Sequence, residues 1–233
     1  MRKKSKKVKH SKRFVGIRAK IDRNRVYPLD EAIKLIKETA TTKFDSTVEV
    51  AVRTGIDPKK SEQQIRTTVL LPHGTGKKIK IAVVAPPDKQ KEAKAAGAEI
   101  VGGEELIDEI AKTQKIKFDI LITVPEMMKD MAKVAKILGP KGLMPNPKSE
   151  TVTPNIKKAV EELSKGKITF RNDDTGNIHL AIGKASFDEN KLKENYQTFI
   201  EALNKVKPAS VKTNFIKKIT LSSTMGPGLK VQL

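Results

Sequence analysis

Hydroxyl side chains and glycines surround a single methionine near the end of the chain, in the run SSTMGPG that starts at Ser222. Hydroxyl donors and uncovered backbone suit close contact with sugar and phosphate oxygens, and a contact to the 2′-hydroxyl distinguishes RNA from DNA. We therefore predict an RNA site at Ser222, Thr224, Met225 and Gly226. On local chemistry alone, an ordinary turn between two strands is the favoured alternative.

An aromatic residue stands beside a basic one just before a valine-rich strand. Phe44 follows Lys43 in a chain with only 4% aromatic residues, and Thr47 opens the strand. An aromatic ring can stack on a base of single-stranded nucleic acid, which contributes roughly 1 to 3 kcal/mol. These residues are therefore candidates for RNA contact. A Phe44 that closes the core at the strand entry is an equally supported alternative.

Two further candidates flank a stretch of turn-forming residues. Arg171 precedes it and Thr175 lies within it. A guanidinium suits phosphate and a hydroxyl suits sugar, so both could add to the RNA site. Solvated turn residues without a ligand are equally supported.

The segment LGPKGLMPNPK, which starts at Leu138, is too rich in glycine and proline to form a helix or a strand. Such a loop can present backbone N–H groups to phosphate, and apolar residues within a basic loop indicate a docking surface. We predict a secondary RNA or docking loop with five candidate residues: Gly139, Lys141, Gly142, Met144 and Lys148. A rigid cap over one end of a sheet is the alternative.

Signatures of catalysis are scarce. The run GTGK at 74–77 resembles a phosphate-binding loop, but Leu71 occupies a position that needs glycine. Prolines at 86 and 87 fill the turn that a dinucleotide would need. The acidic pair Asp173 and Asp174 is typical of a turn. With no Cys and three widely separated His, we predict no enzyme activity, no metal and no cofactor.

The charge of the chain indicates its partner. Its 47 Lys and Arg against 27 Asp and Glu give a net charge of +20. With such an excess of positive charge, the cationic side chains repel one another unless a polyanion binds. A phosphate backbone is the commonest polyanion. The first 13 residues carry eight Lys or Arg, so we expect residues 1–13 to be a leader that stays mobile until an anion binds it. Because no long apolar run and no signal-peptide core are present, we expect a soluble, cytoplasmic protein with no membrane partner.

The hydrophobic pattern changes twice along the chain. The first part predicts a helix at 29–38 and strands at 48–52 and 65–71. The middle alternates strands with helices, with strands at 78–84, 99–101 and 118–124 and helices at 89–96, 104–112 and 127–138. The last part predicts a hairpin of 167–171 and 178–182, a helix along 192–203, and strands at 211–221 and 229–232.

Two domains account for these patterns. The outer parts are too small to close separate cores, whereas the middle predicts a parallel sheet covered on both faces. We predict a mixed α/β and α+β fold. A discontinuous α+β outer domain comes from both chain ends, 1–74 and 166–233, and a Rossmann-like three-layer α/β domain, 75–165, is inserted into it. The junction glycines would form a hinge: Gly74, Gly76 and Gly166. Three consecutive subdomains are the alternative.

Six motifs run through most of the chain: KFDSTVEV from Lys43, LPHG from Leu71, the segment 137–148, FRND from Phe170, GKASF from Gly183 and TMGP from Thr224. Together they resemble the bacterial form of the L-one family of large-subunit ribosomal proteins. The Gly-Pro segment and TMGP are the most specific of the six.

The resemblance implies an outer domain that grips a stem and internal loop of large-subunit rRNA, on a mobile stalk. It also implies contact with exit-site tRNA, which aids release of deacylated tRNA, and repression of translation through the protein's own mRNA. The family's RNA-recognition residues match Phe44, Thr224, Met225 and Gly226, with Ser222, Lys43 and Arg171 as neighbours. We expect a protein that is monomeric when free and is located on the cytoplasmic ribosome.

Two other functions compete with this interpretation. The alternating middle could house a nucleotide-dependent enzyme, although the phosphate-binding glycines are missing. Charge alone would also suit a protein that coats DNA. Specific RNA recognition would depend instead on a neutral patch of hydroxyl and apolar groups, because removing one partner of a buried hydrogen bond costs roughly 1 to 3 kcal/mol.

Overall fold

The computed structural model describes residues 11–211 and 214–232. Its strands are β1 Val26–Tyr27, β2 Thr47–Thr54, β3 Arg66–Leu70, β4 Ile81–Val84, β5 Ile100–Gly102, β6 Ile120–Thr123, β7 Lys167–Arg171, β8 Asn177–Lys184, β9 Ile216–Ser223 and β10 Leu229–Val231. Its α-helices are α1 Lys12–Ala19, α2 Leu29–Thr39, α3 Pro87–Ala95, α4 Glu104–Thr113, α5 Met128–Met131, α6 Ala135–Leu138, α7 Ile156–Ser164 and α8 Glu189–Lys205. Short 3-10 turns occur at Ser61–Gln63, Pro125–Met127, Ala132–Val134 and Pro147–Ser149.

The first of two compact units is built around a five-stranded sheet. It contains the described residues up to Gln63, then Asn172–Gln197 and those from Lys207 onward. The strand order is β1-β10-β9-β2-β8, and only β1 runs parallel to its neighbour. Alternate residues of β2 are buried from Val48 onward, so one face of the sheet forms the core and the other stays open.

Helix α2 covers part of that core because its apolar residues share one face. Ala32, Ile33 and Ile36 are buried, and the helix packs against β9 and β10. Asp30 and Glu31 lie in its first turn, where the helix dipole favours negative charge. The apolar spacing in the sequence predicted this helix, and the structure confirms it.

The second unit contains Gln64–Arg171 and Thr198–Val206. Its three-stranded sheet, β5-β4-β6, is parallel. Helices cover both faces: one core cluster joins Val83 to Val160 of α7, and the other joins Val84 to Ile107 of α4. The same unit holds an antiparallel ribbon of β3 and β7. The mixed α/β and α+β fold class is therefore confirmed.

The bounds of the two units differ from the predicted domain boundaries. Strands β3 and β7 and the last part of α8 fall in the second unit, whereas the sequence assigned them to the outer domain. The predicted division of the chain at residues 74 and 166 therefore stays a prediction.

The predicted hairpin of 167–171 and 178–182 is wrong. The turn does form, because the Asp173 N–H donates to the Asn177 carbonyl at 2.8 Å and Asn172 bridges to Ile178. The strands then diverge, since β7 pairs with β3 and β8 pairs with β2. Alternation of apolar residues predicts a strand but carries no information about its partner.

The predicted single helix at 127–138 is also wrong. The segment consists of α5 and α6 joined by a 3-10 turn. A 3-10 turn aligns residues that are three apart, and Met131 and Val134 are both fully buried. The 3-10 turn therefore keeps Met131 and Val134 on one buried face, although the segment is not a single regular helix. Other predicted helices and strands are present with ends shifted by up to five residues.

The expectation of a mobile leader at 1–13 concerns mostly residues that lie outside the described part of the chain. Within that part, Ser11 caps α1 by accepting a hydrogen bond from the Phe14 N–H at 3.3 Å, and Arg13 lies in the first turn. The expectation that residues 1–13 stay mobile until an anion binds them therefore stays a prediction.

Candidate nucleic-acid interface

Two candidate segments lie at the same end of the five-stranded sheet. Strands β2 and β9 are antiparallel, with Val48 opposite Ser223, so the chain before β2 and the chain after β9 emerge together. The Thr224 N–H donates to the Thr47 carbonyl at 2.9 Å. We call residues 40–46 and 224–228 the loop-and-bend face.

The bend is closed by a hydrogen bond from the Gly226 N–H to the Ser223 carbonyl at 2.8 Å. Met225 occupies the left-handed region with φ 63°, which costs a residue with a side chain about 1 to 2 kcal/mol. Its side chain is nevertheless 66% exposed. Because the strained residue exposes its apolar side chain, the strain does not contribute to packing of the core. Backbone strain of this kind clusters at functional sites.

Thr224 joins the bend to the strand. Its hydroxyl accepts from the Thr47 N–H at 3.0 Å and donates to the Thr47 carbonyl at 3.3 Å. The only proton of this hydroxyl is therefore used within the protein, and one lone pair is left for a ligand. In the free protein Thr224 thus holds the two halves of the face together.

Phe44 is displayed on the other half of the face. Its side chain is 55% exposed, so the alternative in which it closes the core is wrong. The Thr42 hydroxyl donates to the Phe44 carbonyl at 2.8 Å, and Asp45 accepts from the Ser186 N–H and hydroxyl at 3.2 and 2.8 Å. These hydrogen bonds restrain the backbone of the loop that carries Phe44. Lys43, the residue before Phe44, is also exposed.

Hydroxyl groups on β9 point to opposite sides of the sheet. Leu221 and Ser223 are buried, so Ser222 projects from the open face, opposite Glu49 of β2. Within the described residues, the buried Ser223 hydroxyl has no hydrogen-bond partner. A Cβ on Gly226 would lie 2.2 Å from that oxygen. Glycine at position 226 therefore lets the bend close over Ser223 while the Ser223 hydroxyl keeps this position.

The Lys184 amine extends the hydrogen bonding along the edge of the site, since it donates to the Thr47 hydroxyl at 2.9 Å. The structure thus brings together six sequence candidates on or beside the loop-and-bend face: Lys43, Phe44, Thr47, Thr224, Met225 and Gly226. Ser222 lies next to it on the open side of the sheet.

Thr175 lies elsewhere. The Thr54 N–H donates to the Gly176 carbonyl at 3.1 Å, which places the turn at the far end of β2, about 23 Å from Thr47 at ~3.3 Å per residue. The Thr175 hydroxyl and N–H both donate to Asp173 at 2.9 Å. Burial raises the pKa of Asp173, but bonds from Asn177 and Thr175 outweigh it and hold that pKa well below its ordinary value. Thr175 thus stabilises a turn.

Arg171 belongs to the second unit, where it lies opposite Arg66 in the β3–β7 ribbon. Both arginines line a cavity of about 330 Å³ with the glycine- and proline-rich loop. The loop residues in its wall include Gly139, Gly142 and Met144. Within the second unit, the structure therefore groups Arg171 with the secondary loop.

The remaining loop candidates, Lys141 and Lys148, are exposed. The Lys148 N–H donates to the Asn146 side chain at 2.8 Å. The loop thus combines a fixed backbone with two cations that face solvent.

The junction glycines meet closely in the second unit. Gly74 and Gly166 have φ of 61° and 105°, and a Cβ on Gly166 would lie 2.4 Å from the Gly74 Cα. Gly76 also has a positive φ, 72°. Close backbone approach explains glycine at 74 and 166, and the positive φ favours glycine at 76, while the role of the three as a hinge stays a prediction.

Two kinds of site find no support in the part of the chain that the structure covers. No group of three or more His, Asp or Glu residues there could hold a metal ion. None of the described helices has the length and apolar character needed to cross a bilayer.

Sequence relatives of the chain are ribosomal proteins. The profile of the "Ribosomal protein L1p/L10e family" matches residues 36–227. The chain is 55% identical over 223 residues to the "Large ribosomal subunit protein uL1" of Thermosipho africanus, with 96% of each chain covered. It is 53% identical over 225 residues to the protein of that name from Fervidobacterium nodosum, covering 97% of this chain and 96% of the relative. The corresponding Mycoplasma capricolum protein is 54% identical over 224 residues, covering 96% and 99%.

A mixed α/β fold and a basic chain with an exposed polar and apolar face define a candidate nucleic-acid-binding protein. The chain belongs to the ribosomal protein L1p/L10e family. The predicted resemblance is thereby confirmed, and so is the prediction that the protein is not an enzyme. The nucleotide-dependent enzyme considered from the middle of the chain is not supported.

Proposed function

We propose that this protein is a structural constituent of the large ribosomal subunit that binds rRNA through the loop-and-bend face. The observation that carries the proposal is the pair of exposed apolar side chains, Phe44 and Met225, at one end of the sheet. Both project from segments whose backbones are fixed by hydrogen bonds. The names of the relatives support placement in the large subunit of the cytoplasmic ribosome.

Recognition would combine three contributions at this face. Phe44 can stack on a base or sugar, which is worth about 1 to 3 kcal/mol. Met225 can cover neighbouring polar contacts and exclude water from them. Ser222, on the open side of the sheet, can bond sugar or phosphate oxygens. Because two of these groups are apolar and the third is neutral, they would give specificity that depends little on salt.

Cations would supply attraction over a longer range. Lys43 stands beside Phe44, and the chain carries a net charge of +20. Each phosphate that is neutralised makes log affinity fall by about 0.7 to 0.9 per decade of salt. Affinity should therefore fall steeply with salt, while preference for the correct RNA persists.

The secondary loop and Arg171 would make a further RNA or docking contact from the second unit. The support for this is the cavity that Arg171 shares with Gly139 and Met144. Gly74, Gly76 and Gly166 would let the domains change their relative position during translation. The protein would bind as a monomer.

Two finer functions are part of the proposal. Contact with exit-site tRNA would aid release of deacylated tRNA, and a similar RNA fold in the protein's own mRNA would allow repression of translation. A cell-free translation assay tests the second: added protein should inhibit a reporter that carries the leader of its own messenger, and Phe44→Ala should relieve the inhibition. Inhibition that Phe44→Ala leaves unchanged would contradict the use of this face.

Ribonuclease footprinting on transcribed large-subunit rRNA tests the main proposal. The wild-type protein should protect one structured region of the rRNA from ribonuclease even in the presence of excess duplex DNA. Phe44→Ala should weaken binding by ~1 to 3 kcal/mol and Met225→Ala by ~1 to 2 kcal/mol. Val26→Ala is the matched control, because Val26 is 53% exposed in the same unit but lies on the edge strand β1. Equal losses in all three variants, or capture of duplex DNA in preference to rRNA, would reject the proposal.

A further inference from the structure

Arg13 connects the two halves of the loop-and-bend face. Its Nη2 donates to the Met225 carbonyl at 3.1 Å, and its Nη1 donates to the Thr41 hydroxyl at 3.4 Å. Thr41 lies in the loop before β2, whereas Met225 lies in the bend after β9. A single guanidinium therefore spans the gap between segments that are otherwise joined through Thr224 and Thr47.

The bond to the Met225 carbonyl acts on the most strained residue of the bend. Holding that carbonyl fixes the peptide plane between Met225 and Gly226, and with it the direction in which the exposed methionine points. The left-handed conformation at Met225 is unfavourable by itself. An additional restraint on this residue therefore favours the displayed conformation over relaxed alternatives.

The position of Arg13 is not explained by the stability of its own helix. It lies in the first turn of α1, which contains no acidic residue. A cation near the N-terminus of a helix is opposed by the helix dipole. The helix is instead anchored by Ile17, which is 6% exposed, and this anchor carries Arg13 to the face.

We propose that Arg13 is a positioning residue of the RNA interface, which sets the spacing of loop and bend and the orientation of Met225. The sequence motifs did not indicate it, because it lies about 210 positions before the bend in a stretch whose lysines and arginines look alike. The inference rests on the proposed function, since it concerns how the same face is preorganised for RNA.

Arginine and lysine should behave differently at this position. A planar guanidinium offers donors in a fixed fork and can reach two acceptors at once, whereas an ammonium is a point charge on a flexible stem. Arg13→Lys therefore keeps the charge and loses the bridge. Arg18→Gln is the matched control, because it removes the same charge from the same helix.

The experiment measures affinity for the footprinted rRNA at moderate salt, together with the NMR signal of the Met225 methyl group in the free protein. Arg13→Gln and Arg13→Lys should each weaken binding roughly fivefold to tenfold and shift or broaden the Met225 signal. Arg18→Gln should weaken binding no more than about twofold and leave that signal in place.

Each other outcome is decisive. If Arg13→Lys binds as wild type does, charge alone explains Arg13 and the positioning role is overturned. The role is also overturned if Arg13→Gln and Arg18→Gln are alike in both measurements. If wild type itself fails to select rRNA, the proposed function fails, whereas a Met225 signal that responds only to the two Arg13 variants would still support the bridge.

Discussion

Met225→Gly should separate the stability of the bend from its function. The left-handed φ of 63° costs a methionine about 1 to 2 kcal/mol, and glycine adopts it freely. Glycine adds about 0.5 to 1 kcal/mol of entropy cost on folding. Because the side chain is 66% exposed, little buried area is lost. The free energy of unfolding should therefore stay the same or rise by up to about 1.5 kcal/mol.

RNA affinity should move in the opposite direction. Loss of the methionine contact should weaken binding by about 1 to 2 kcal/mol, which corresponds to burying most of such a side chain. Met225→Ala is the control, because alanine loses the same contact and retains the strain. Urea denaturation and titration with the footprinted rRNA measure the two effects. Clear destabilisation by Met225→Gly, or unchanged RNA affinity in both variants, would refute the assignment of strain to function.

Three further predictions concern the structure around the sites. Thr224→Val leaves the Thr47 N–H without its hydroxyl acceptor and should lower the free energy of unfolding by ~1 to 2 kcal/mol in urea titrations, whereas Thr224→Ser should not. Gly166→Ala places a Cβ 2.4 Å from a neighbouring glycine Cα at a φ of 105°, so it should cost more than about 2 kcal/mol. Gly142→Ala, with a positive φ but open space, should cost only about 1 kcal/mol, and equal melting temperatures would contradict this difference. Because the pKa of Asp173 is depressed in the folded protein, its carboxylate stabilises the fold above about pH 4, and this stabilisation is lost as the pH falls further. Asp173→Asn should therefore make the free energy of unfolding decline less steeply below about pH 4 in acid titrations. Parallel declines in the variant and the wild type would contradict this.

Much of the local structure follows from the sequence, as two segments illustrate. Helix α2 was predicted from the spacing of four apolar residues, of which Leu29 is half-buried and Ala32, Ile33 and Ile36 are buried. The parallel sheet followed from buried-type strands alternating with helices. Both patterns depend only on which residues within one element are buried. That burial follows directly from the apolar character of the side chains and from their spacing along the element.

The composition of the candidate site was only partly predictable. Ser222, Thr224 and Met225 stood out as a hydroxyl-rich run, and Phe44 as a rare aromatic. The sequence could not tell that Phe44 is displayed to solvent, since an aromatic at a strand entry suits the core equally well. It also grouped Thr175 with the site, although strand β2 separates them by about 23 Å at ~3.3 Å per residue.

By itself, the sequence determined the fold class, the basic character, the absence of a catalytic signature and the residues that carry the family motifs. The tertiary structure alone decided that β7 and β8 join different sheets, that Thr224 bonds to Thr47 and that Arg13 reaches Met225. The physical reason is that side-chain period and propensity act over a few neighbouring residues. Strand pairing and the contacts that complete a site depend on segments that only the folded chain brings together.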